Sequence, residues 1–105
     1  MRRKLLFQPE AERQLATIME NRADPGLRKQ VLKTLALLET DLRHPSLRAH
    51  QFRSLTGAHG EDIYEAYAQN NTPGAYRIFF HYGPDEMVNK KRIPVLTVIA
   101  ITAHP

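Results

Sequence analysis

Arg77 and His81, four residues apart, are the first pair in this chain whose chemistry suits an anion. They fall within residues 74–82, GAYRIFFHY, a stretch dense in aromatic and branched side chains and opened by Pro73-Gly74, which predicts a β-strand. Side chains alternate along a strand, so Arg77, Phe79 and His81 share one face, and Tyr76, Ile78, Phe80 and Tyr82 the other. The second face fits a core. The first is either a polar solvent surface or the floor of an anion-binding groove.

Other cations gather nearby in sequence. Residues 42–60 contain no acid but hold Arg43, His44, Arg48, His50, Arg53 and His59, and residues 70–84 are again free of acid. The 15 Lys/Arg against 11 Asp/Glu leave a net charge of only +4, so the clustering says more than the total. Glu65 and Tyr67 share a face with Ile63 on a candidate strand over residues 62–69. The five histidines (44, 50, 59, 81, 104) match no helical i, i+4 pair and no short-loop ligand pair, and cysteine is absent. No metal or other cofactor is expected. No Gly-rich phosphate loop, nucleophile elbow or Walker-type motif is present.

The elements that would position these side chains follow in order. Residues 4–8 form a short candidate strand with Leu5 and Phe7 on one face. Pro9 suits a first helical residue, Glu10 and Glu12 favour a helix N-terminus, and Ala11, Leu15, Ile18 and Met19 make an apolar stripe to about Arg22. Asp24-Pro25-Gly26 breaks that helix. A second follows to about Asp41, with Leu27, Val31, Leu35, Leu38 and Leu42 along one side. Arg43-His44-Pro45-Ser46 is a connection. Residues 51–55 are a short candidate strand, and residues 70–74 carry hairpin-turn chemistry. Residues 83–92 are polar and predict a mobile hairpin loop ending in Lys90-Lys91-Arg92. Residues 93–102 are almost wholly apolar and predict a strand covered on both faces.

The fold class expected is therefore α+β and a single domain over residues 1–105. An N-terminal strand and a two-helix hairpin precede a four-stranded, mostly antiparallel twisted sheet in the order β-α-α-β-β-β-β. With 42% hydrophobic residues the chain can fill one modest core. The basic start has too short an apolar run for a signal peptide, and no run approaches a membrane span, so a cytoplasmic protein is expected.

In this order, the segments Leu55-Thr56-Gly57, Ile63-Tyr64-Glu65 and Ala75-Tyr76-Arg77-Ile78-Phe79-Phe80, then the apolar strand over 95–101 and His104, make the chain resemble the RelE/ParE superfamily of type II toxin–antitoxin toxins. The likeness spans nearly the whole chain, and the G-x-Y-R-hydrophobic pattern at Gly74–Phe80 carries most of it. The resemblance implies a metal-independent, ribosome-dependent mRNA endonuclease in which the RNA 2′-hydroxyl attacks the adjacent phosphate. Such chemistry needs a base, a cation at phosphorus and an acid for the leaving 5′-oxygen.

On matched positions, Arg77 would bind the scissile phosphate and His104 would be the general acid, while Glu65 would act as base or hold Arg77 in place. Tyr67 would stack on a base or pack in the sheet, His81 would touch substrate, and Arg43, Arg48, Arg53 and His50 would contact RNA phosphates. Two features depart from the pattern. Glu65 and Tyr67 stand where RelE has lysines, and Ala49 or His50 stands near the position of the YoeB-like glutamate. The base therefore stays open, and so does the alternative of a ParE-like member that poisons DNA gyrase by contact alone, or of a catalytically inactive family member. Either reading implies a cognate antitoxin that folds on binding, with the ribosome and mRNA as further partners of a nuclease.

Overall fold

The computed structural model describes residues 2–70 and 74–103. Strand β1 (Lys4–Phe7) leads into helices α1 (Pro9–Glu20) and α2 (Pro25–Thr40), and a 3-10 turn at Pro45–Leu47 leads to β2 (His50–Thr56). Then come β3 (Asp62–Tyr67), β4 (Tyr76–Tyr82), the short β5 (Glu86–Val88) and β6 (Lys91–Ile93), and β7 (Val95–Ala103). Five strands form one sheet in the order β1-β7-β4-β3-β2, antiparallel except for the parallel β1–β7 pair. The α+β class and the helical hairpin are as expected.

Helix placement follows local chemistry. Pro9 and Pro25 sit at helix starts, where the missing N–H costs nothing, and the Asp24 carboxylate accepts from the Leu27 amide to cap α2. The stripes predicted for both helices face the sheet. Ala11, Ile18, Leu27, Val31, Leu35 and Leu38 are buried against Ala66, Ile78, Phe80, Leu96, Val98 and Ile101.

Two expectations are corrected. The face of β4 bearing Arg77 is not open along its length, because Phe79 and His81 are buried and Phe79 packs edge-on against Phe52 of β2. Tyr82, placed with the core residues by alternation, is 44% exposed. A bulge between Phe79 and Phe80 in the β4–β7 pairing shifts the register, and it kinks the ladder at this point.

Residues 83–92, expected as a mobile loop, contain the two-stranded ribbon β5–β6. Its base is fixed by Asp85, whose Oδ1 accepts from the Val95 amide at 2.9 Å and whose Oδ2 accepts from Arg92 Nε at 2.7 Å. The Val95 amide, then Arg92, hold the Asp85 carboxyl below the usual carboxylate range. A depressed folded-state pKa gives stability that is present above the unfolded-state value and is lost as pH falls through the folded-state value.

Phe80 is fully buried between the helices and the sheet. Phe80→Ala is expected to cost about 3–5 kcal/mol in urea unfolding, which would consume much of a domain's margin. Acidification through the range in which Asp85 protonates is expected to raise amide exchange in β5 and β6 before the β3–β4–β7 ladder loosens. Simultaneous loss of protection in both would refute the anchoring role of Asp85.

Candidate functional site: an arginine–tyrosine stack beside a histidine–glutamate pair

Register builds the site. Antiparallel pairing sets Arg77 of β4 opposite Tyr67 of β3, and His50 of β2 opposite Glu65 of β3. Glu65 and Tyr67 are two residues apart on one strand and share a face. The result is a three-strand patch carrying His50, Glu65, Tyr67 and Arg77. Arg48, just before β2, joins it from a left-handed backbone (φ 48°) that a non-glycine residue rarely adopts.

Tyr67 is the post around which the cations gather. The Arg77 guanidinium carbon lies 3.7 Å from its ring centroid and that of Arg48 4.8 Å. Arg77 Nη1 donates to the Gln69 carbonyl at 3.0 Å, which holds the fork against the ring. Its Nε is buried with no acceptor among the described residues. Two guanidiniums held at one ring repel each other, and an anion bound beside the ring would relieve that repulsion.

Beside the stack, His50 Nε2 lies 2.9 Å from Glu65 Oε1. The Glu65 side chain is 3% exposed and that of His50 46%, so the imidazole is the member that solvent or substrate meets. His50 Nδ1 lies 2.7 Å from the Arg48 carbonyl, which can only accept, so Nδ1 carries a hydrogen. The Nε2–Oε1 contact then needs one further proton, shared between imidazole and carboxyl. The pair is a proton-handling unit with a buried inner member and an accessible outer one.

The remaining candidates fall elsewhere. One reading expected Glu65 to hold Arg77 in place. Glu65 lies opposite Phe79, and its carboxylate faces His50. The Tyr67 ring, a candidate for base stacking, is taken up by the two guanidiniums.

Arg43 and Arg53 are exposed outside this set of contacts. His81 is not brought into the cluster. It is buried at the far end of β4, its Nδ1 3.1 Å from the Tyr82 carbonyl and its Nε2 3.8 Å from Glu61 Oε2, beside a recess of about 550 Å³. The backbone amides of Glu61 and His59 hold the Glu61 carboxyl below the usual range. His104 lies outside the described residues. The strand leading to it, β7, ends with Thr102 opposite Arg77 and Ala103 opposite Tyr76.

The His50–Glu65 contact was missed from sequence, since nothing there signals the pairing irregularity that creates it. Among the described residues, no group of three or more His, Asp or Glu side chains is arranged to hold a metal ion. A shallow recess of about 160 Å³ between α2 and β3, lined in part by Gln30, Lys33 and Tyr67, flanks the stack. Such an open surface suits an extended polymer better than an enclosed small molecule.

With this geometry in view, the sheet order and helical hairpin define the fold of RelE/YoeB toxins. The YoeB dimer structure from Staphylococcus aureus superposes with TM-score 0.57 at 13% identity, over 100% of both chains. YafQ from E. coli gives 0.53 at 11%, covering 97% of this chain and 93% of that one. A copper-bound mutant toxin from Helicobacter pylori gives 0.52 at 15%, covering 99% and 96%. No family sequence profile and no curated protein sequence matches the chain.

If the ring face of Tyr67 holds the guanidiniums, Tyr67→Phe should leave stability and anion affinity nearly unchanged, because the hydroxyl takes no part in stacking. Tyr67→Leu should lose about 1 kcal/mol in low-salt urea unfolding and weaken anion binding. Equal losses from the two variants would sink this account.

Proposed function

We propose that this protein is the toxin of a type II toxin–antitoxin system and acts as a ribosome-dependent, metal-independent mRNA endoribonuclease. The observation that carries the reading is the pairing of two stacked guanidiniums with a buried-carboxylate imidazole on one open sheet face. The fold shared with RelE/YoeB toxins supports it.

In this mechanism Arg77 and Arg48 hold the scissile phosphate and stabilise the extra negative charge of the pentacoordinate phosphorus. The 2′-hydroxyl displaces the Arg48 carbonyl as the partner of His50 Nδ1, which takes its proton, while the imidazole's other proton stays on Nε2, held by Glu65 Oε1. Glu65 acts through His50 as a positioning residue, since its burial keeps it from the substrate. The 2′-oxygen attacks phosphorus, the bond to the 5′-oxygen breaks, and His104 supplies that oxygen's proton. The products are a 2′,3′-cyclic phosphate and a 5′-hydroxyl. Arg43 and Arg53 position RNA through its phosphates. A cognate antitoxin with a C-terminal segment that folds on binding would cover the basic face.

The test is 5′-end mapping of messenger RNA in a translating extract. Wild-type protein should cut within codons, and Arg77→Ala and His104→Ala should each lower cleavage by about 10²-fold or more. His50→Ala should match that loss, while His50→Gln with intact folding should not restore activity. Intact messenger with all variants, alongside toxicity in cells, would overturn the nuclease reading and favour a contact poison of DNA gyrase.

A further inference from the structure

The β5–β6 ribbon plays no part in the chemistry above, yet it has the marks of a contact device. Its base is tied down by Asp85 and by the Lys4 Nζ–Glu86 Oε1 pair at 2.9 Å. Its outer part is free of the core. Met87 is 66% exposed and Val88 46%, and Asn89, Lys90, Lys91 and Arg92 are all exposed. Met87 lies opposite Arg92 and Val88 opposite Lys91, so each face of the ribbon presents one apolar and one cationic side chain.

Charge and backbone agree on the tip. No acidic residue follows Glu86 in the sequence. Asp85 pairs with Arg92, and among the described residues Lys90 and Lys91 have no acidic partner in an ion pair. The two-residue turn holds Asn89 at φ 50° and Lys90 at φ 66°, the left-handed geometry of a hairpin in which glycine is favoured at the second position. A lysine there accepts backbone strain and keeps a cation at the most projecting point.

We propose that this ribbon is a second RNA contact, gripping the phosphate backbone of folded RNA at a distance from the cleavage site. The inference rests on the RNA reading given above. Arg77 and Tyr82 are five residues apart on β4, so the end of β4 that leads to the ribbon lies about 17 Å from Arg77 along the strand. A contact that far away engages a different stretch of RNA from the scissile phosphate, which suits the structured RNA that surrounds a messenger. The cations supply the affinity, and the flanking Met87 and Val88 pack on sugars or exposed bases. An anionic lipid surface is the other polyanion to consider. Two partly exposed apolar side chains give it little to bury.

The experiment measures binding of a fluorescent RNA hairpin by the full chain in the cleavage-silent Arg77→Ala background, across a salt series. Lys90→Glu/Lys91→Glu is compared with Lys90→Gly, which removes one charge and relieves the turn. The double variant is expected to weaken binding at least tenfold. It should also make the slope of log affinity against log salt shallower by about two, close to one per lost phosphate contact. Lys90→Gly should fall midway with a melting temperature no lower than the parent's.

An unchanged slope, no RNA binding by the parent protein, or parent binding to anionic vesicles but not to RNA would each overturn the proposal. Failure here is separable from failure of the nuclease reading. Messenger cleavage by the wild-type protein in the translating extract, with an unchanged slope in the Arg77→Ala series, removes the ribbon contact alone, whereas a shallower slope in that series with no cleavage by the wild-type protein removes the nuclease alone.

Discussion

Strand β4 is hydrogen-bonded on both edges, to β3 and to β7, and both of its faces are put to use. Ile78 and Phe80 on one side close the core against the helices, and Arg77 on the other feeds the cationic stack. A strand so placed cannot shift by one residue without exchanging its core side chains for its functional ones. The geometry of the candidate site is therefore locked to the stability of the core. The guanidinium inherits its position from phenylalanines it never touches.

Around that strand, charge is arranged by what stands next to it rather than by net excess. Tyr67 lets two like charges share one ring by offering both a π face. Burial of Glu65 confines a carboxylate behind an imidazole, so a negative group can serve the site without repelling an incoming phosphate. At the opposite end of β4, Glu61 and His81 repeat the pairing of carboxylate and imidazole at a longer spacing, with Arg3 5.2 Å over the neighbouring Tyr82 ring.

The sequence made the elements legible where period and burial agree. The Leu27, Val31, Leu35, Leu38 stripe is buried, and the apolar run ending in Ile101 forms the long strand β7. Glu65 and Tyr67 were visible as one face of their strand, and Arg77, Phe79 and His81 as one face of theirs, because a strand's period leaves no choice.

What stayed hidden was register. Counting outward from the Thr56–Asp62 pair sets His50 opposite Ala68, a core position. The irregularity between Gln51 and Thr56 moves it three residues, to Glu65. An odd shift exchanges faces, so a basic residue assigned to phosphate contact becomes the outer half of a proton-handling pair. The ribbon at residues 83–92 was hidden for a related reason. Its strands are three residues each, too short for alternation to show, and its turn lacks the glycine that would mark it.

The parallel pairing of β1 with β7 joins the first strand of the fold to its last, and β7 also forms the edge of β4 next to Arg77. During synthesis the helices and β2–β3–β4 leave the ribosome before β7 exists. Loop closure across almost the whole chain must then follow. Until that strand emerges and inserts between β1 and β4, the sheet is divided and Arg77 lacks one of its walls. A nascent chain of this topology cannot complete the Arg77 site until its last strand has emerged.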